Sequence, residues 1–143
     1  MIIRKIWTSI LFSGLSILMV GKVMAAENNV VVNINGHAIS ARLADNPVSR
    51  ELAERLPQTL KVDDYNGIEK TGKISRRLGT DGVPAGYAPK AGDIVYYAPW
   101  GNLVFFYKDF RYYDGLIYLG HMEGSLESLV IPGETSLSIT LPR

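Results

Sequence analysis

The side chains of this chain best suited to ligand chemistry are aromatic, and they cluster between residues 96 and 118. They are Tyr96, Tyr97, Trp100, Phe105, Phe106, Tyr107, Phe110, Tyr112, Tyr113 and Tyr118. Successive residues of a β-strand point to opposite faces of a sheet, so adjacent aromatic residues must diverge. One set is predicted to fill a core, and the other to line a surface groove or to pack under a loop. Exposed Trp and Tyr side chains in a concavity favour an apolar or peptide-like ligand.

Histidine and cysteine usage restricts metal and nucleophile chemistry. His37 and His121 are the only histidines, and the chain contains no cysteine. Cysteine-based zinc and iron–sulfur sites are therefore excluded, and no HExxH pair or GxSxG motif is present. We expect no metal and no cofactor, and we assign no catalytic residue. His121 is interpreted as a structural residue or as a residue at the rim of a pocket.

A basic group follows residue 69, within a segment predicted to be a strand from Glu69 to Leu78. Its members are Lys70, Lys73, Arg76 and Arg77. The two-residue period of a strand would place Lys70 and Arg76 on one face and the other two on the opposite face. This group could contact an anionic ligand, or it could be a solvated strand edge protected by charge.

The N-terminal segment has the pattern of a secretory signal peptide, predicted over residues 1–25. Arg4 and Lys5 precede an apolar run at residues 6–20, and cleavage is expected after Ala25, or as a second choice after Ala26. The alternative is an uncleaved anchor, but the apolar run is short against the ~20 residues of a spanning helix. We expect an exported protein, periplasmic or secreted, with no stable membrane anchor after cleavage.

The charge of the mature chain argues against nucleic acid as a partner. The signal removes three of the 15 basic residues and none of the 14 acidic ones, so the mature net charge is about −2. A protein that binds the phosphate backbone needs a basic surface.

Short strands with turn signals predict a mainly β domain over residues 29–142. Asn35-Gly36 is typical of a hairpin turn, and Asn46-Pro47 is typical of a helix start, with the helix ending before Pro57. The segment 63–67 is predicted to be a turn, and 79–92 a long loop. About eight strands indicate a barrel or a sandwich. Besides the hairpin and the segment after residue 69, they are predicted at 59–62, 93–98, 103–108, 116–122 and 135–141.

Several segments resemble the small bacterial cyclophilin-like domain family. The matching residues are 33–36, 56–57, 67–70, 92–97 and 99–107, the last of these reading PWGNLVFFY. The resemblance extends over nearly all of residues 29–142. It implies a closed eight-stranded cyclophilin-like β-barrel with one or two short capping helices.

The resemblance does not carry isomerase activity with it. True cyclophilins have an arginine within an F-H-R-V-I-P stretch, where this chain has residues 73–78, KISRRL. Phe106 stands where the pocket phenylalanine is expected, and Arg76 or Arg77 where the arginine is expected. The tryptophan and histidine of the proline pocket fall near Tyr112 and Leu116.

The hypothesis that we favour is a protein without assigned activity that binds a small molecule or peptide segment in an aromatic-lined groove. The residues predicted to line it are Glu69, Arg76, Tyr96, Trp100, Phe106, Tyr112 and His121. The alternatives are a divergent peptidyl-prolyl cis-trans isomerase and a partner domain of a flavodoxin-like or redox protein.

Overall fold

Ten β-strands, one α-helix and one 3-10 turn make up residues 28–143, the part of the chain that the computed structural model describes. The predicted signal peptide lies outside these residues. The strands are β1 Asn29–Ile34, β2 His37–Leu43, β3 Gln58–Tyr65, β4 Glu69–Lys73, β5 Gly86–Tyr87, β6 Asp93–Tyr97, β7 Asn102–Phe106, β8 Tyr113–Asp114, β9 Leu116–Met122 and β10 Thr135–Thr140. The helix α1 is Pro47–Glu54, and the 3-10 turn is Glu127–Leu129.

Eight of these strands form a closed antiparallel barrel. Their order around the barrel is β1-β10-β3-β4-β7-β6-β9-β2, and pairing of β2 with β1 closes it. The two remaining strands, β5 and β8, pair with each other as a separate two-stranded sheet. The prediction of a mainly β, closed eight-stranded barrel with short helical elements is confirmed.

The first hairpin follows from its turn residues. Asn35 and Gly36 have φ values of 51° and 75°, the left-handed conformation that both central residues of this tight turn require. The turn sets the register of β1 against β2, so that Ile34 pairs with His37 and Val32 with Ile39. Val32, Ile34 and Ile39 are consequently all buried in the barrel interior.

The helix begins where its capping residue predicts. The side chain of Asn46 accepts a hydrogen bond from the Ser49 amide at 2.8 Å, and Pro47 occupies the first turn. The Asn46 amide group also donates to the carbonyl of Tyr118 at 2.9 Å, which fixes α1 to β9. Val48 and Leu52 are fully buried and join the barrel core.

Replacing Asn46 with alanine is expected to lower the free energy of unfolding by about 1–2 kcal/mol, because the cap and the bond to β9 are lost together. Urea unfolding followed by circular dichroism measures this difference. Asp45→Ala is the matched control, since Asp45 is exposed and forms a surface ion pair with Arg50. An equal loss in both variants would contradict a capping role for Asn46.

The three largest departures from the predicted boundaries each have a tertiary cause. Strand β3 continues through the predicted turn to Tyr65, and the reversal is limited to Asn66-Gly67. The strand predicted over 69–78 ends at Lys73, after which the Ile74 amide donates to the carbonyl of Gly101. Residues 79–92 are not wholly loop, because they contain β5.

The basic group predicted on one long strand is divided by this shortened boundary. Lys70 lies on the interior face of β4 and is fully buried, whereas Arg76 and Arg77 lie beyond the strand and are exposed. The predicted pairing of Lys70 with Arg76 on one face is therefore wrong. The interpretation of Lys70 as part of a solvated edge is also wrong, because its side chain is fully buried and its ammonium group donates to the backbone carbonyls of residues 131 and 133.

The aromatic pairs diverge as the strand period predicts. Tyr96 and Phe105 belong to the cluster inside the barrel. Tyr97 and Phe106 belong to a second apolar cluster on the outer face, which is built on Val95, Val104, Phe106 and Leu116. No helix within residues 28–143 has the length and apolar character needed to cross a membrane.

Candidate binding site: a pocket on the outer face of the barrel

The outer face of β4, β6 and β7 carries a concavity of about 230 Å³, which we call the outer pocket. Alternation along β7 directs Asn102, Val104 and Phe106 toward it, while the intervening Leu103 and Phe105 point into the barrel. This volume lies just below the range of about 300–1,000 Å³ that is usual for pockets that bury a drug-sized ligand. It therefore suits a small ligand or one side chain of a larger one.

Six aromatic rings surround the outer pocket in continuous contact, and we call them the aromatic arc. Its members in order of contact are Tyr65, Trp100, Tyr97, Tyr113, Phe110 and Phe106. The successive ring centroids are 6.1, 5.2, 5.9, 6.4 and 6.3 Å apart. These separations lie within the range at which aromatic rings attract one another.

Glu69 closes the gap between the two ends of the aromatic arc. On β3 its cross-strand partner is Tyr65, and on β7 it is Phe106, so the three side chains share one face. Glu69 is only 9% exposed. No hydrogen bond or ion pair to its carboxylate is present within residues 28–143. Burial raises the pKa of Glu69 to about 7.

The other polar groups of the outer pocket lie beside this carboxylate and at the rim. Asn102 donates through its side-chain amide to the hydroxyl of Thr71 at 3.2 Å. The guanidinium of Arg111 lies 5.4 Å from the ring centroids of both Phe110 and Tyr113. The outer pocket thus combines a wall of aromatic rings, one unpaired acid and one rim cation.

Two connections bring the loop residues of the aromatic arc into place. In the turn from β6 to β7, Gly101 has a φ of 69°, and its amide donates to the carbonyl of Tyr97 at 3.0 Å. The guanidinium of Arg77 donates to the Ala98 carbonyl at 2.7 Å, and this bond anchors the turn to the segment after β4. Trp100, at the tip of the turn, is 52% exposed.

The segment from residue 107 to residue 113 crosses the outer cluster and carries the other side of the aromatic arc. The amide of Phe110 donates to the carbonyl of Pro89 at 2.9 Å, and Asp109 accepts from the Ala91 amide at 2.9 Å. Pairing of β5 with β8 then fixes Tyr113 opposite Tyr87. Residues 79–92, predicted to be a long loop, therefore hold this segment in place through hydrogen bonds and strand pairing.

A comparison with protein families identifies the family of this chain. The sequence profile described as the cyclophilin-like family matches residues 32–141. The chain belongs to the cyclophilin-like family. Comparison with curated proteins finds no match to this cyclophilin-like chain.

Among solved structures, the cyclophilin-like barrel is similar to the solution structure of a hypothetical protein from Archaeoglobus fulgidus. The TM-score is 0.59 at 14% sequence identity, with 82% of this chain and 96% of the archaeal chain covered. At this identity the likeness shows a shared fold and gives no information on activity.

The cyclophilin-like barrel brings three of the seven predicted groove residues together. Glu69, Trp100 and Phe106 line the outer pocket. Tyr96 lies inside the barrel, 1% exposed, where its hydroxyl accepts a hydrogen bond from the Leu78 amide at 3.1 Å. Tyr112 is 55% exposed and does not line the outer pocket.

The two remaining predicted residues lie elsewhere. Arg76 is exposed beyond the end of β4 and does not line the outer pocket. His121 is on β9, with its Nδ1 2.8 Å from a carboxylate oxygen of the buried Asp93. The other oxygen of Asp93 accepts from the Tyr87 hydroxyl at 2.6 Å. A carboxylate in this position orients the imidazole and fixes its tautomer. No cluster of metal-ligating side chains occurs in the described part of the chain.

Among the aromatic and charged residues that line the outer pocket, sequence reasoning missed five: Tyr65, Tyr97, Phe110, Arg111 and Tyr113. The strand period could have identified Tyr97, because it shares a face with the outer cluster when Tyr96 points inward. For Tyr65 there was no signal, since its segment carries turn residues. Arg111 and Phe110 depend on a crossing segment whose path only the folded chain reveals.

Proposed function

We propose that this protein is an exported cyclophilin-like binding domain that takes a small molecule or a peptide segment in the outer pocket. The observation that carries the proposal is the aromatic arc around a 230 Å³ concavity, closed by a buried acid. Export rests on the signal-like N-terminal sequence, and detection of the mature chain in a cell-envelope or culture fraction tests it.

Exposure of the aromatic arc supports a binding role. Trp100, Tyr65 and Tyr113 are 52%, 45% and 40% exposed. Large aromatic side chains grouped in one solvent-open concavity mark interaction sites far more often than single exposed ones do. They offer large contact areas at a low cost in conformational entropy, which is why they dominate binding sites.

A ligand of the outer pocket is expected to lose affinity by about tenfold when Tyr65 is replaced by alanine, because one wall of the aromatic arc is removed. Trp100 supplies the readout: the only other tryptophan is Trp7, within the predicted signal peptide. Fluorescence titration of the mature protein therefore reports on a single tryptophan, which lines the outer pocket. Ligands are first found by thermal-shift screening of a fragment library.

Tyr112→Ala is the matched control for this measurement. Tyr112 is as exposed as Tyr65 but lies outside the outer pocket. Its removal should leave affinity unchanged. Ligands that stabilise the protein without changing Trp100 fluorescence, or that respond only to Tyr112→Ala, would place the binding site elsewhere.

A divergent peptidyl-prolyl isomerase is the alternative activity. That chemistry needs an arginine aimed at a twisted prolyl amide from an apolar pocket. Arg111 is the arginine that lines the outer pocket, whereas Arg77 is engaged by backbone carbonyls. A protease-coupled assay with a prolyl peptide decides between the two. Turnover that collapses in Arg111→Ala favours the isomerase, and turnover at the background level favours the binding domain.

A flavodoxin-like or redox partner stays a prediction of the sequence resemblance. Its test is direct, because affinity purification of the mature protein from its native envelope would recover a flavoprotein. Recovery of the protein alone would argue against this alternative.

A further inference from the structure

Glu69 differs from the other buried polar side chains of the described residues, which are Ser49, Lys70 and Asp93. Ser49 donates to a backbone carbonyl. Lys70 is held by two carbonyls and a carboxylate, and Asp93 by a tyrosine, a histidine and a backbone amide. Glu69 alone among the four has no partner, and it lines a pocket. Its side chain is only 9% exposed, but its carboxylate oxygens are open to the solvent of the pocket. A largely buried acid whose only partner is water is costly to ionise, so a cation supplied from outside would stabilise it.

The rings around Glu69 favour the same kind of group. An aromatic ring carries negative potential on its faces, and a cation within about 6 Å of the centroid is attracted to it, most strongly by tryptophan. The rim already shows this attraction, since the guanidinium of Arg111 lies over Phe110 and Tyr113. Arg111 forms no ion pair with Glu69 within the described residues, so it leaves the acid uncompensated.

The alternatives fit less well. An uncharged apolar ligand would contact the rings but would displace the water that reaches Glu69 without offering the carboxylate a partner. An anionic ligand would be repelled by ionised Glu69 and by the ring faces, with Arg111 as its single attraction. A cation satisfies the rings and the acid together.

We propose that the ligand carries a small organic cation, an alkylated ammonium group or a close relative, which sits between Glu69 and the faces of Trp100 and Tyr97. This inference rests on the proposed binding function. The 230 Å³ of the outer pocket limits the buried part to a compact head group. A free small molecule and the methylated lysine of a peptide present the same chemistry.

Proton linkage gives the proposal a distinct signature. Because burial raises the pKa of Glu69 to about 7, the carboxyl is mostly protonated at pH 5.5 and mostly ionised at pH 8. Cation binding should therefore tighten as pH rises through this range.

The remaining charged and titratable groups near Glu69 do not obscure this signature. Within the outer pocket they are Arg111 and the tyrosines at positions 65, 97 and 113. On the neighbouring strands they are the exposed Asp63 and the ion pair of Lys70 with Asp64, which lies on the opposite, interior face. Just beyond β7 lies Tyr107, whose pKa is raised by burial and by Asp64. Neither histidine lines the outer pocket. Glu69 is thus the pocket group expected to titrate between pH 5.5 and 8.

The test uses three probes of nearly equal shape: choline, its uncharged isostere 3,3-dimethyl-1-butanol, and the anion 3,3-dimethylbutanoate. Binding to the mature protein is followed by Trp100 fluorescence at pH 5.5 and pH 8. Choline is expected to bind about tenfold more tightly than the alcohol at pH 8. The preference should shrink at pH 5.5 and in Glu69→Gln, where only the attraction of the ring faces is left. Asp63→Asn is the matched control, since it removes an exposed acid on the adjacent strand, and it should retain the preference.

The other outcomes separate this inference from the proposed function. Equal binding of choline and the alcohol, unaffected by Glu69→Gln, would overturn the cation inference and leave ligand binding in the aromatic arc standing. Tightest binding of the anion would overturn it and point to Arg111. No response to any probe, or to an aromatic fragment library, would overturn both. A trimethyllysine peptide that binds more tightly than choline would support a protein side chain as the source of the cation, and equal binding a free small molecule.

Discussion

Replacement of Lys70 by methionine is expected to lower the free energy of unfolding by about 2–3 kcal/mol, because it removes the donor to two carbonyls and the partner of a carboxylate that is itself 24% exposed. Lys70 is fully buried at the end of the barrel where residues 131–133 cross it. Its Nζ donates to the carbonyls of Ile131 and Gly133 at 2.6 and 3.0 Å and lies 3.2 Å from a carboxylate oxygen of Asp64. Methionine fills much of the same volume but leaves these acceptors without a donor.

The measurement is urea unfolding at neutral pH, with Lys73→Met as the control. Lys73 is on the same strand but exposed, so its replacement should change stability by less than about 0.5 kcal/mol. A combined Lys70→Met, Asp64→Asn variant should recover part of the loss, since the uncompensated acid is then removed. If Lys70→Met is as stable as the parent protein, the buried pair contributes no net stability.

Turn, capping and strand-pattern rules predicted correctly those elements whose structure is determined by their own residues. Asn35-Gly36 demands left-handed backbone, which fixes the first hairpin, and Asn46 with Pro47 fixes the start of α1. Strand β9, Leu116–Met122, agrees with its predicted bounds because its apolar pattern and the flanking Gly115 are unambiguous. In these places the sequence predicts the fold because propensity, pattern and turn chemistry agree.

The same rules gave wrong predictions where a residue's environment is set by a partner that is distant in the sequence. Asp64 reads as a turn residue, but within the fold its carboxylate meets Lys70 and Tyr107 and accepts from the Gly133 amide, so β3 extends past it. Lys70 reads as a surface charge because the carbonyls that hold it lie more than 60 residues away. Neither fact can be read from neighbours in the sequence.

The outer pocket also depends on contacts between residues that are distant in the sequence. Tyr65, Glu69 and Phe106 come together through the register of three strands, two of which are far apart in the chain. Composition predicted surplus aromatic residues on an outer face, and alternation predicted that adjacent rings diverge. Neither composition nor alternation could decide which residue of each adjacent aromatic pair faces outward. That choice depends on which face of β6 and β7 closes the barrel.

Glu69→Gln is expected to stabilise the folded protein at pH 8 and to have little effect near pH 4.5. Below pH 4.5 the carboxyl is protonated in both the folded and the unfolded chain. As pH rises toward 7, the unfolded chain releases this proton while the folded chain retains it, so stability falls. Above pH 7 both forms are ionised, and the loss is complete. One unit of pKa shift corresponds to ~1.4 kcal/mol, and water at the open mouth of the pocket reduces the effect, so we expect a gain of about 1–2 kcal/mol for glutamine at pH 8.

Urea unfolding at pH 4.5 and pH 8 measures this gain, and subtracting the parent's stability from that of the variant removes the contribution of the other titrating groups. Asp63→Asn should show no such gain, because Asp63 is exposed on the neighbouring strand. A parent protein as stable as Glu69→Gln at pH 8 would show that the acid is solvated rather than buried. A measured gain means that the fold retains an ionisable group at the expense of its own stability. Such retention is typical of binding and catalytic sites, where a destabilised group is compensated when the ligand arrives.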